Sequence, residues 1–266
     1  MNERLYLNIA GFNIQIIFHK ISLSTELNFI KKAILKVYKG FLLSKSLVRN
    51  IDFTISFFEP PRTSTISFKN AHYMKFYELI NQTHIITSHS ISIFQFNVII
   101  RAIIGLLLKK DSFVLHASAC LVGEEALLFI GGSGDGKSTV IRLLRKKYKA
   151  LGDDSVIIRK LDRNYFMYQT PFTERQSWVQ KNKGKYLIGK IFILKKAINN
   201  KIVRCNNRSE ILKKFIEEFL VYNDKNLENQ LISAIKYVNT FHNFFLLYFQ
   251  KNKKLLIEVI ESNLDG

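Results

Sequence analysis

Residues Gly131-Gly132-Ser133-Gly134-Asp135-Gly136-Lys137-Ser138, followed by Thr139, fit G-x-x-x-x-G-K-[ST], the spacing of a phosphate-binding loop. Each residue type meets a physical need. Glycines reach backbone angles closed to other residues, so successive N–H groups can turn inward toward phosphate oxygens. A helix starting near Lys137 would bring its positive end to the same anion. Lys137 adds a mobile charge for β- and γ-phosphates, and the Ser138 hydroxyl suits Mg²⁺. Roughly 0.005 such matches are expected by chance in a chain of this composition, so chance does not account for the motif. Two acids, Asp153-Asp154, follow sixteen residues after Lys137, room for one helix, one turn and one strand. Upstream stands His116, within Leu115-His116-Ala117-Ser118-Ala119. An anion cradle, a divalent ion and a carboxylate able to take an alcohol's proton are together the requirements of phosphoryl transfer.

The elements around these residues are those the chemistry needs. Ala126 to Ile130 is an apolar strand leading into the loop, and Val140, Ile141, Leu144 and Tyr148 mark one face of the helix that follows. Phe113 to Val122 reads as one strand, with Ser118 and Cys120 on the His116 face by alternation. Gly123-Glu124-Glu125 is a turn, and Ala150-Leu151 and Ser155 to Ile158 flank the two acids as strand-like stretches. Tyr165 to Tyr168, Ile191 to Leu194, Phe244 to Phe249 and Leu255 to Ile260 are further predicted strands. Ser209 to Leu220 is a predicted amphipathic helix with Ser209 as its cap.

Before Asp111 the pattern is α+β and carries no recognisable chemistry. Leu5, Leu7, Ile9 and then Ile14, Ile16, Phe18 alternate as two strands around Gly11. Leu27 to Phe41 is helical, with Ser24 or Thr25 as cap and Glu26 in the first turn. Asp52 to Phe58 reads as a strand halted by Pro60-Pro61, Thr65 to Phe68 as another, and Ile91 to Lys110 as a helix. The domain division expected is therefore 1–105 and 106–266.

Composition sets the outer limits. A hydrophobic share of 47% with 12 glycines and 3 prolines describes a globular chain and excludes disordered or collagen-like designs. Ala102 to Leu108 is the longest run considered for membrane insertion, far short of the ~20 residues of a spanning helix. Asn2, Glu3 and Arg4 lead into alternating residues rather than an apolar signal core, so the expectation is a soluble, cytoplasmic protein with no membrane partner. Cys120 and Cys205 are too few for a disulfide framework or a CxxC metal site.

Forty Lys+Arg against 21 Asp+Glu gives a net charge of +19, which favours polyanions in general. The lysines are spread along the chain, beside many Asn, Ile and Phe, as an AT-rich coding sequence alone would produce. The aromatic and basic residues match no nucleic-acid module, so no specific nucleic acid is expected. Arg142, Arg145, Lys146, Lys147 and Lys149 read as the solvent face and end of the loop helix, where cations suit the dipole. Trp178, the only tryptophan, lies in a polar, basic segment from Pro171 to Lys185 with Arg175, Lys181 and Lys183. That segment reads equally as a substrate-gripping loop or a solvated excursion.

Leu-His-Ala-Ser at 115–118, a Gly turn, an apolar strand, the loop ending in Gly-Lys-Ser-Thr, a helix and Asp-Asp together resemble the HPr kinase/phosphorylase catalytic domain. The resemblance is closest to the short HPr kinase-like proteins of modified-peptide gene clusters such as those of lasso peptides. Leu187 to Leu194, after the Pro171 loop, and Ile9-Ala10-Gly11-Phe12 also look like that group. Motif identity covers about residues 113 to 158. The resemblance implies a P-loop kinase core of the HPr kinase / phosphoenolpyruvate carboxykinase type, α/β with a mixed sheet, preceded by a small α+β lobe. It implies ATP and Mg²⁺ held by Gly131 to Thr139, with Lys137 active in transfer. By the same carry-over Asp153 is the catalytic acid/base, Asp154 its neighbour at the metal with Ser138, and His116 the active-site histidine. The implied activity is phosphorylation of a serine hydroxyl in a peptide, a ribosomally made precursor in the nearest group, or in a protein. Ala117 stands where full-length HPr kinases carry glycine, and the C-terminal signature of phosphorolysis is not evident, which leaves the reverse reaction and homo-oligomeric assembly open. An HPr-type regulatory kinase/phosphorylase and a non-catalytic nucleotide-dependent binding module are the alternatives.

Overall fold

The computed structural model describes residues 2–19, 25–59, 76–172 and 178–263. The chain forms two compact units, Met1–Leu107 and Leu108–Gly266. The fold is α/β with mixed sheets.

In the first unit, β1 (Glu3–Ile9) and β2 (Phe12–Phe18) form a hairpin whose turn residues, Ala10 and Gly11, have φ of 53° and 85°. Two consecutive left-handed residues give a two-residue turn whose twist matches that of the strands. Helix α1 (Thr25–Val37) and β3 (Phe53–Phe58) follow, then a hairpin of β4 (Tyr77–Asn81) and β5 (His84–Ser88), and α2 (Ile93–Leu107). The sheet order is β1-β2-β3-β5-β4, with β2, β3 and β5 mutually parallel. Ile14, Ile16 and Phe18 from β2 and Phe53, Ile55 and Phe57 from β3 are buried, as are Phe96, Ile99 and Ile103 of α2. The sequence reading has no counterpart to the β4–β5 hairpin. Its strand at Thr65 to Phe68 and the Pro60-Pro61 stop lie outside the described residues, as does Ser24.

The second unit opens with β6 (Ser112–Leu115), β7 (Ser118–Val122) and β8 (Glu125–Ile130), then α3 (Lys137–Leu144) and β9 (Lys149–Gly152). It continues through β10 (Val156–Leu161), β11 (Asn164–Gln169), β12 (Lys185–Lys196), β13 (Lys201–Arg204) and α4 (Arg208–Glu217). Helix α5 (Leu227–Thr240), β14 (Phe244–Phe249) and α6 (Lys253–Glu261) close the chain. At the centre β8 and β14 flank β12 in parallel.

Alternation along these three strands builds two cores. Ala126, Leu128, Ile130, Ile191, Ile193 and Phe244 face one cluster, which α4 and α5 complete with Ile211, Phe215 and Tyr237. Leu127, Phe129, Phe192, Leu194, Leu247 and Phe249 face the other, completed by Val140, Ile141 and Leu144 of α3 and Leu256 and Ile260 of α6. Strands covered on both faces read as unbroken apolar runs rather than alternating ones.

Three sequence readings are corrected here. Phe113 to Val122 is two strands, not one. Leu115 pairs with Val156 and Ala119 with Gly152 in the same antiparallel register, but the ladder is open between them. Residues 116–117 and 153–155 therefore face one another unladdered, and alternation does not place Ser118 and Cys120 with His116. Leu255 to Ile260 is helical, because the Asn252 side chain caps the backbone N–H of Leu255 and Leu256 and Ile260 recur on one buried face. The cap of α4 is Asn207, which accepts from Glu210 N–H, and not Ser209.

The strand β8 delivers the glycine loop, so its packing should decide whether the loop forms. Phe129 is fully buried with its ring 5.4 Å from that of Phe192. Phe129→Ala should cost about 3–5 kcal/mol, read by urea unfolding. A loss below about 1 kcal/mol would contradict the two-sided core described for β8.

Candidate active site

The loop forms at the end of β8, and its backbone explains its glycines. Gly134 and Gly136 have φ of 84° and 109°, angles that side-chain-bearing residues rarely adopt. At Gly136 there is a second reason: a Cβ would stand 2.6 Å from Cζ of Phe249, whose ring seats the loop from β14. Asp135 folds back so that its carboxylate accepts from the Gly132 N–H at 2.6 Å. Ser118 Oγ donates to the Lys137 carbonyl at 3.2 Å, pinning the first turn of α3 to β7.

Gly132, Ser133, Gly134, Gly136, Lys137, Ser138 and Thr139 line a cavity of about 310 Å³ together with His116, Asp153 and Asp154. Gly131 and Asp135, also expected to hold phosphate, do not line it: Gly131 supplies a carbonyl to Lys137 Nζ and Asp135 braces the loop from within. The two acids lie on the bend that follows Gly152 rather than on a strand, so both reach the same cavity although they are adjacent. Their settings differ. Asp153 is buried, while the Asp154 side chain is 52% exposed.

The residue that sequence reasoning missed is Glu218. Its Oε2 accepts from Lys137 Nζ at 2.9 Å and lies 3.1 Å from His116 Nδ1, and Lys137 and Glu218 are both buried. The backbone takes part as well. The Glu218 carbonyl accepts from the His116 N–H at 2.7 Å, and Leu220 N–H donates to the Val114 carbonyl. Residues 218–220 thus run beside β6 where its ladder opens, and a single residue orients His116 through both main chain and side chain. His116 Nε2 is left 4.0 Å from Asp154 Oδ1. No local signal marks Glu218, since it lies 81 residues from Lys137 in the chain.

Burial alone would raise the Glu218 carboxyl, but hydrogen bonds from His116 and Lys137 outweigh it and hold the group below its ordinary range. Asp153, Asp154 and Glu218 bring three carboxyl groups together beside Lys137 and His116. Hard oxygen donors of this kind suit Mg²⁺, which binds through one or two carboxylates, water and substrate phosphates rather than a closed protein cage. No cluster of three or more His, Cys, Asp or Glu side chains able to hold a metal occurs among the described residues. Cys120, on β7, is buried, and burial pushes its thiol up, away from thiolate chemistry.

No family model and no curated protein matches the chain. Among solved structures it is similar to the Hpr(Ser) kinase/phosphatase from Coxiella burnetii, with a TM-score of 0.33 and 9% identity over 57% of this chain and 99% of that one. No helix among the described residues is long and apolar enough to cross a membrane.

A carboxyl whose folded pKa is depressed adds stability above its unfolded pKa and loses it as pH falls through the folded value. Wild-type stability should therefore fall on acidification below the ordinary carboxylate range as Glu218 takes up a proton. Glu218→Gln should be less stable at neutral pH and should lack that portion of the acid slope, measured by urea unfolding across the range. An identical acid slope in the variant would mean that the pair with Lys137 and His116 does not form.

Proposed function

We propose that the chain is an ATP-dependent kinase that transfers the γ-phosphate to a serine hydroxyl of a peptide or protein. The observation that supports this best is the convergence on one cavity of the glycine loop, buried Asp153, exposed Asp154 and His116, which Glu218 contacts from behind the lining. The motif resemblance to HPr kinase-like proteins points to serine as acceptor, and its nearest group to a ribosomally made precursor peptide. Cytoplasmic location and a homo-oligomeric state belong to the same reading.

In this reading the loop N–H groups, Lys137 and the positive end of α3 hold the triphosphate. Ser138 and Asp154 would hold Mg²⁺, which neutralises charge on the phosphates when bound. Lys137 begins on Glu218 and passes to the phosphates as they enter, leaving the Glu218 carboxylate to His116 alone. Asp153 accepts the proton as the serine oxygen attacks the γ-phosphorus and the β–γ bridging oxygen leaves with ADP. Burial suits Asp153 to this task, because it keeps bulk water away from the proton transfer. His116, oriented by Glu218, lies beside Asp154 and steadies the acid at the metal. The +19 charge favours a second reading, a nucleotide-dependent module that grips a polyanion without chemistry.

Saturating Mg-ATP should raise the melting temperature, since a ligand bound only by the native state stabilises it by mass action. Lys137→Ala should remove most of that shift. An unchanged wild-type melting temperature would refute nucleotide binding.

Asp153→Asn keeps size and polarity but cannot take the proton, so kcat for transfer to a serine-containing peptide should drop ~10²–10⁴-fold with nucleotide affinity nearly intact. Asp154→Asn should act on the Mg²⁺ dependence instead, and His116→Ala should give an intermediate loss. Mass spectrometry of the peptide reads all three. Wild-type turnover in Asp153→Asn would take that residue out of the mechanism, and phosphate on a residue other than serine would refute the acceptor.

A further inference from the structure

A second cleft, of about 340 Å³, lies in the same unit, lined by Arg145, Lys146, Lys149, Ala150, Trp178 and Gln180. Its three cations are exposed, and no carboxylate pairs with them among the described residues, whereas neighbouring Lys147 is engaged by Glu261. The Arg145 guanidinium lies 4.8 Å from the Trp178 ring, so an aromatic face and a cation meet in the lining of the cleft. Lys149 and Ala150 come from β9, the last strand of its sheet path, which pairs with β7 and with no strand on its other edge among the described residues.

The cleft is built, not incidental. The Gln169 amide donates both to the Leu151 carbonyl, at 2.5 Å, and to the Gln180 carbonyl, at 3.1 Å. Asn182 N–H donates back to Gln169 Oε1 at 3.0 Å. One side chain thus ties the Trp178–Asn182 stretch to the edge of β9. That edge leads to the site. Gly152 is followed at once by Asp153, and three residues of extended chain from Ala150 to Asp153 span about 10 Å.

We propose that this cleft docks an extended, acidic segment of the polypeptide substrate, so that a serine a few residues along the same segment reaches Asp153. The proposal rests on the kinase reading. Cations beside an edge strand, with no carboxylate partner among the described residues, favour carboxylates on an extended chain, where side chains on one face recur every second residue. Trp178 adds a stacking wall that a fully solvated basic face would lack.

Trp178 is the only tryptophan, so its fluorescence reports on this cleft alone. The test titrates the full chain with a short peptide of alternating glutamate and serine, its glutamine counterpart, and a single-stranded oligouridine. The acidic peptide should change the emission saturably, more weakly at high salt. The Lys146→Gln, Lys149→Gln double variant, both changes being on the surface, should bind it about tenfold more weakly. Its Mg-ATP melting shift should equal that of the wild type. No saturable response, equal binding of the glutamine peptide, unchanged binding by the double variant, or preference for oligouridine would each overturn the proposal. Peptide binding that persists in a protein unresponsive to Mg-ATP would refute the kinase reading and leave the docking cleft standing, so the two failures are separable.

Discussion

The buried contact between Lys137 and Glu218 is the constraint on which the site depends. An ammonium taken out of water needs an anionic partner, and leaving it alone would cost several kcal/mol. Glu218 is that partner at 2.9 Å. The same carboxylate reaches His116, and its own main chain fastens His116 to the opened end of β6. One residue therefore gives Lys137 a partner in a buried place and sets the neighbouring imidazole. In the proposed reading the attraction also has the right sign for exchange, because phosphates would replace one anion with several around the same ammonium.

The sheet is arranged so that this contact can occur. The antiparallel pairing of Ser112–Leu115 with Val156–Arg159 resumes in the same register at Ala119 and Gly152, and the gap between is where His116, Asp153 and Asp154 stand. Backbone groups freed there do not stay unsatisfied, as the His116 N–H bonded to the Glu218 carbonyl shows. Beneath, the two-sided packing of β8, β12 and β14 holds the loop at a fixed place, with Phe249 filling the space that a side chain at Gly136 would need.

What was legible in the sequence follows from how local each signal is. The glycine loop, its strand and its helix are contiguous, and so were readable together. Asp153 and Asp154 were readable because one helix, one turn and one strand return the chain to the loop. Glu218 was not, since only the folded sheet brings it to Lys137. Helix α5 escaped notice because its buried stripe, at helical spacing, includes Gln230 and Ser233 beside Ala234, Tyr237 and Val238, which blurs the apolar pattern. The α6 segment was misread as a strand because a short apolar run with β-branched residues suits either state, and the Asn252 cap that decides it lies outside the run. The break at His116–Ala117 left no trace, since the residues on both sides keep strand character.

The central claim is that this cavity takes the phosphates of a nucleotide by drawing Lys137 from Glu218. A crystal structure of the chain with ADP and Mg²⁺ tests it most directly. The account predicts Lys137 Nζ on a β-phosphate oxygen, with the Glu218 carboxylate still on His116 Nδ1. Lys137 remaining on Glu218 with the nucleotide bound elsewhere would contradict it.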